Sequence, residues 1–145
     1  MKEEKLYQTH FNDMKEIFKS DRYFTFFDFA ISHGQFLLRS QKNNEFVNNI
    51  DIIFSDTTYI QSFSRLNGLR ISRIGNGVRN IGYDTVKKYL GYDNNYLFEI
   101  ESNSEKYFIA ASFVTVFENK LEFSESSLSI SGKEKGIEIA TSLIK

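Results

Sequence analysis

The amino-acid sequence predicts an α+β protein made mostly of antiparallel strands, arranged as a meander, a curved sheet or a barrel-like sheet. Three observations support this class. Segments rich in aromatic and β-branched residues recur along the chain, turn-forming residues separate them, and a few stretches carry apolar residues at helical spacing. Because no linker or internal repeat divides its 145 residues, we expect one domain spanning residues 1–145.

An N-terminal helix is expected over Glu3–Lys19. Its apolar and aromatic positions recur every three or four residues and draw one stripe along the helix: Tyr7, His10, Phe11, Met14, Ile17 and Phe18. His10 lies within this stripe, and no second ligand is in register with it. We therefore interpret His10 as a ring at the edge of the core and not as a metal ligand.

A hairpin and a third strand follow. Tyr23–Ser32 has the composition of a strand covered on both faces, His33-Gly34 marks a turn, and Gln35–Ser40 returns as its partner. The polar run Gln41–Asn44 predicts a loop, and Ile50–Phe54 predicts the third strand. Three neighbouring antiparallel strands are thus expected in this half of the chain.

The middle of the chain predicts one strand and one short helix. Leu69–Ile74 alternates so that Arg70 should lie on the outer face of a sheet. Asp84 is a favourable N-cap for a central helix over Thr85–Leu90, and Gly91 stands where a left-handed C-terminal residue is preferred.

The second half predicts a β-meander of Tyr96–Glu101, Lys106–Phe117 and Lys120–Phe123. Lys106–Phe117 is apolar or small at both parities from Tyr107 onward, so it should be a central strand, with Phe113 buried in its middle. Glu99 and Glu101 alternate with apolar residues, which indicates a solvated face.

The C-terminal segment fits two patterns. A helical stripe is drawn by Ile137, Ala140, Thr141 and Ile144, whereas Leu128–Ile130 and Ile137–Ile139 fit two short strands. We favour a C-terminal helix.

Composition excludes several kinds of chemistry. The chain has no cysteine, so disulfides, thiolate nucleophiles and zinc-thiolate sites are excluded. Neither a signal-peptide core nor an apolar run long enough to span a membrane is visible, which predicts a cytoplasmic protein that does not bind membranes. With a formal net charge of −1, no general field attracts nucleic acid.

No catalytic or cofactor site is predicted. Asp28, Ser32 and His33 have the residue types of a hydrolytic triad, but on a strand His33 points away from the other two. The two histidines and the scattered carboxylates supply no spaced set of metal ligands. The sequence therefore indicates a protein that is not an enzyme, holds no metal or cofactor, and exists as a monomer or weak homodimer.

Charge is distributed unevenly along the chain. Residues 65–88 carry six basic residues against one acid, whereas residues 91–129 carry seven acids against two basic residues. Such runs are often solvated strand faces that neutralise one another. As binding surfaces, they predict a partner-binding acidic face made of Glu99, Glu101 and Glu122, or an alternative anion-binding set made of Arg65, Arg70, Arg73 and Arg79.

Three stretches carry a resemblance. They are FFDFAISHGQFLLRS (residues 26–40), NIDIIFSD (residues 49–56) and YFIAASFVTVFENKLEFSESSL (residues 107–128). Together they resemble a group of small uncharacterised bacterial proteins, and the chain is similar in size and composition to the immunity proteins of polymorphic toxin systems. These stretches cover under half of the chain and contain no catalytic motif, so no functional residue is carried over.

Two functions follow from these observations. The resemblance implies a cytoplasmic binding protein that neutralises a cognate toxin, and the acidic face would suit a basic toxin domain. The alternative is a protein that binds nucleic acid or another anionic ligand through its arginines, with aromatic rings available for stacking. Of these anions, nucleic acid is disfavoured, since the neighbouring acidic segment would repel its phosphate backbone.

Overall fold

The computed structural model describes residues 22–75 and 95–142. Within these ranges the chain forms ten strands and three short 3₁₀ turns. The strands, in chain order, are β1 (Tyr23–Ala30), β2 (Gln35–Ser40), β3 (Asn49–Ser55), β4 (Tyr59–Gln61), β5 (Arg65–Asn67), β6 (Arg70–Gly75), β7 (Tyr96–Ser102), β8 (Glu105–Ala111), β9 (Phe113–Asn119) and β10 (Ile137–Thr141). The 3₁₀ turns are Ser32–Gly34, Ser127–Ser129 and Gly132–Lys135.

The strands form two antiparallel sheets. The six-stranded sheet has the order β10-β9-β3-β2-β1-β5, and the four-stranded sheet has the order β4-β8-β7-β6. Their inner faces share one hydrophobic core, in which the rings of Phe36 and Phe54 stack at 6.1 Å and Phe54 meets Phe98 of the other sheet edge-on at 5.7 Å. The fold is thus a sandwich whose two layers are joined by aromatic contacts.

The six-stranded sheet is covered on its other face as well. Alternation along β2 and β3 sends Arg39 and Asp51 away from the shared core, yet both are fully buried. Residues 120–136, which contain two of the 3₁₀ turns, run over this outer face. We refer to residues 120–136 as the cover segment.

The first hairpin forms as predicted. β2 spans the expected residues, and β1 begins at the expected Tyr23 but ends two residues early at Ala30. His33 and Gly34 take positive φ angles of 63° and 48°. A Cβ on Gly34 would lie 3.1 Å from the backbone nitrogen of Thr57, so this turn favours glycine on both conformational and steric grounds.

The predicted α+β class is wrong. No α-helix occurs in residues 22–75 or 95–142, and the described chain belongs to the antiparallel β class. The predicted C-terminal helix is replaced by β10, because Ile137–Thr141 pairs with β9 and the backbone bonds of that pairing outweigh a local helical stripe. The predicted helices at Glu3–Lys19 and Thr85–Leu90 lie outside the described residues.

The predicted long strand Lys106–Phe117 is also wrong. It is two strands that belong to different sheets, separated at Ser112, whose backbone N–H donates to the Ser55 carbonyl at 2.9 Å. Phe113 therefore begins β9 and is half-buried, not central. Lys120–Phe123 is not a strand but the start of the cover segment.

Across the two described ranges, no helix combines the length and apolar character that a bilayer crossing requires.

Candidate functional site

A surface with exposed aromatic rings lies where the edges of the two sheets meet. β5 pairs with β1 only at Tyr23–Thr25, and the next residue, Phe26, donates its N–H to the Ser64 carbonyl at 2.7 Å. Within the described residues, no strand pairs with this edge of β1 beyond that point. Phe29 then lies beside β4, the edge strand of the other sheet.

A groove of about 200 Å³ marks this meeting point. Its walls are Phe29, Thr57, Thr58, Tyr59 and Ile60. We call this groove, together with Phe26 of β1 and Phe63, which follows β4 along the chain, the aromatic seam.

Core residues hold the exposed rings of the seam in place. Phe26 is 45% exposed, but its ring packs edge-on against buried Phe36 at 4.5 Å. Phe63 is 63% exposed, and its ring lies 5.4 Å from that of Tyr107. Rings fixed in this way present apolar area without a large loss of side-chain entropy on binding. The seam therefore has the composition and rigidity of a protein-binding surface.

The pKa of the hydroxyl of Tyr107, whose ring contacts Phe63, is shifted. Burial raises the pKa of this hydroxyl above its usual 10.0, and the hydrogen bond that it donates to Glu105 at 3.0 Å acts in the same direction, as does the charge of that carboxylate. The raised pKa widens the pH range over which this hydroxyl stays protonated and donates to Glu105.

Two of the three predicted acidic residues lie together. Glu99 and Glu101 share the outer face of β7, but each has a cation beside it: Lys106 Nζ lies 3.3 Å from Glu99, and Arg70 forms a salt bridge with Glu101. Glu122 lies in the cover segment, on the opposite outer layer, 3.5 Å from Lys42 Nζ. The acidic residues thus form no single surface, and each is partly neutralised within the chain.

The predicted arginine set is also divided. Arg65 lies on β5 in one sheet, and Arg70 lies on β6 in the other. Arg73 is buried, with its guanidinium 4.2 Å from the ring centre of Tyr96. Arg79 lies outside the described residues. The structure therefore does not gather the described members into one anion-binding patch.

Asp28, which has the residue type of a triad member, is held by contacts outside any triad. Asp28 accepts a hydrogen bond from Ser126 Oγ at 2.5 Å and another from the Phe29 N–H at 2.8 Å. Its partners are thus the cover segment and its own strand. In the part of the chain that the structure describes, no group of three or more histidines and carboxylates is placed to hold a metal ion.

A buried polar network, not expected from the sequence, lies under the cover segment. Arg39 Nε and one terminal nitrogen contact the two oxygens of Asp51 at 2.6 and 2.9 Å, and both side chains are fully buried. The other terminal nitrogen donates to the Glu125 carbonyl at 2.7 Å, and Phe27 lies against the guanidinium. Asn119 donates to Asp51 at 3.0 Å and to the Lys135 carbonyl at 2.9 Å.

Lys135 of the cover segment is a further charged residue next to this network. Lys135 Nζ donates to the Ser127 carbonyl at 2.6 Å, and burial lowers the pKa of Lys135 below its usual 10.5, although the nearby charge of Asp51 opposes the shift. The bonds from Arg39 to the Glu125 carbonyl and from Asn119 to the Lys135 carbonyl hold the cover segment onto the sheet. The other contacts fix these two donors or the segment itself, so we assign the network a structural role.

No family model matches the chain, and no curated protein or solved structure is significantly similar to it.

Proposed function

We propose that this protein is a non-catalytic binding protein that captures a protein partner at the aromatic seam. The observation that carries the proposal is the pair of exposed but core-anchored rings of the seam, Phe26 and Phe63. Phenylalanine is enriched at protein interfaces, where a few central aromatic anchors usually contribute most of the binding free energy.

The partner that we propose is a bacterial toxin domain in the cytoplasm. This part rests on the resemblance to immunity proteins alone, since such proteins act by binding and need no catalytic group. The acidic residues support this partner less than expected. Lys106 and Arg70 already reduce the repulsion between Glu99 and Glu101, so a basic partner would gain little by neutralising them.

The test is capture of the partner from a lysate of the native host by tagged wild-type protein and matched variants. Phe63→Ser removes a seam ring that is 63% exposed, and Val47→Ser removes a side chain that is 69% exposed and lies in the loop between β2 and β3, outside the seam. We expect Phe63→Ser to weaken binding of the purified partner about tenfold or more, and Val47→Ser to leave it unchanged.

Two further measurements separate the parts of the proposal. The first compares the double variant Glu99→Gln, Glu101→Gln with Phe63→Ser. If the double variant no longer binds the partner and Phe63→Ser still does, the interface is the acidic face and not the seam. Expression of the captured partner should arrest growth, and coexpression of the wild type should restore it. If the partner does not arrest growth when it is expressed alone, it is not a toxin, and this part of the proposal is wrong.

A further inference from the structure

A second cavity lies on the outer face of the six-stranded sheet, away from the seam groove. Its volume is about 300 Å³, and Arg22, Arg39 and Arg65 are among its lining residues. No carboxylate belongs to its lining among the described residues. Three cationic side chains around one small cavity indicate a ligand that carries negative charge.

The three arginines contribute in different ways. Arg39 is fully engaged with Asp51, so this pair is close to neutral. Arg22 is buried and held by Ser40 Oγ at 3.0 Å and the Asn48 carbonyl at 2.9 Å, so it forms a fixed wall. Arg65 is exposed, and none of the described carboxylates forms a salt bridge with it. Its charge is therefore the most available to a ligand.

Aromatic rings orient two of these groups. The guanidinium of Arg22 lies 4.1 Å from the ring centre of Phe46, and that of Arg65 lies 4.1 Å from the ring centre of Tyr23. Such a ring contact restrains the guanidinium, and the planar set of N–H groups of Arg65 matches two oxygens of one anion.

The rest of the lining mixes the aromatic residues Tyr23 and Phe46 with polar ones. The polar residues are Thr25, Ser40, Gln41 and Asn43, of which Thr25 donates to the Arg39 carbonyl and Gln41 donates to Asn49. Donors from several directions suit a tetrahedral anion with three terminal oxygens better than a planar carboxylate with two. The volume lies at the small end of the range for ligand sites.

We propose that this cavity binds a phosphoryl group of a small phosphomonoester, with Arg65 as its main contact and Arg22 as the fixed wall. The cavity shares no lining residue with the seam groove, so a partner can occupy the seam whether or not phosphate binds. It also differs from the anion-binding set predicted from the sequence, because it keeps Arg65 and replaces Arg70 and Arg73 with Arg22 and Arg39.

The experiment is isothermal titration of the full chain with inorganic phosphate, phosphoserine and adenosine monophosphate, with acetate as the planar anion. Arg65→Gln should weaken phosphate binding about tenfold or more, as expected when a charge-assisted hydrogen bond is lost. Arg65→Lys should restore part of the affinity. Arg70→Gln is the matched control, because Arg70 is also an exposed strand arginine but lies on the other sheet.

Each result has a defined meaning. Tighter binding of either phosphomonoester than of inorganic phosphate supports the proposal and identifies which organic group the cavity accepts. Absence of phosphate binding, equal weakening by Arg65→Gln and Arg70→Gln, or acetate binding as tight as phosphate would each overturn it. Unfolding midpoints of the variants equal to that of the wild type exclude misfolding as the cause.

Discussion

The two faces of the six-stranded sheet are both buried, but different forces close them. On the inner face, Phe36, Phe54 and their neighbours meet the four-stranded sheet through apolar contact, which is non-directional and proportional to area. On the outer face, Arg39, Asp51 and Asn119 hold the cover segment through hydrogen bonds that each require a specific partner. The inner face should therefore tolerate apolar changes that keep its volume, whereas the outer face should not tolerate loss of a single partner.

Removal of one ion-pair partner should break the outer face most severely. Asp51→Ala leaves the Arg39 guanidinium buried without its carboxylate, and we expect the free energy of unfolding to fall by about 3–5 kcal/mol in urea denaturation. The double variant Arg39→Met, Asp51→Leu removes both charges and should recover most of this loss. A double variant as unstable as Asp51→Ala would show that the charges themselves stabilise the fold.

Truncation of a phenylalanine on the inner face should lower the free energy of unfolding by about as much as Asp51→Ala or slightly less, because it leaves a cavity and not an unpaired charge. Phe54→Ala leaves a cavity between Phe36 and Phe98 and should lower the free energy of unfolding by about 3–5 kcal/mol. Phe113→Ala is the matched comparison, because Phe113 starts β9 and is only half-buried. Equal losses in the two variants would contradict the placement of Phe113 at the edge of its strand.

The smallest expected effect is a dependence of the free energy of unfolding on pH, which arises from Lys135 in the cover segment. Because burial lowers the pKa of Lys135 in the folded chain, the unfolded chain binds more protons between that lowered pKa and 10.5, and stability should rise with pH in this window. Lys135→Gln should abolish this part of the rise, whereas Lys133→Gln, which changes an exposed lysine of the same turn, should keep it. Urea denaturation across the window measures both, and identical profiles for the two variants would contradict the assignment.

The strands could be predicted where local pattern and turn chemistry agree. β2 matches the predicted residues, and β3 and β7 match within one residue at each end, because alternation and turn residues define them. The break at Ser112 could not be predicted, since apolar residues continue through the point where the chain leaves one sheet and enters the other. The strand β10 depends on pairing with β9, which no local pattern reveals.

The candidate sites were less predictable than the strands. Alternation correctly put Glu99 and Glu101 on one face, but the cations beside them depend on pairing between strands. Arg39 and Asp51 meet because β2 and β3 pair in that register, and the cover segment that buries them comes from a distant part of the chain. Arg22 and Arg65 line the same cavity for a similar reason, since Arg22 directly precedes β1 and β1 pairs with β5.

The order of the strands along the chain has a consequence for the speed of folding. All strands of the four-stranded sheet lie, in sequence, between β3 and β9, which are neighbours in the other sheet. Pairing of Asn49 with Asn119 therefore closes a loop of 70 residues, whereas the β1–β2 hairpin closes within a few. The entropy of loop closure grows slowly with length, but topologies with such distant pairings fold slowly. Refolding should accordingly be limited by the encounter of β3 with β9, long after the hairpin has formed.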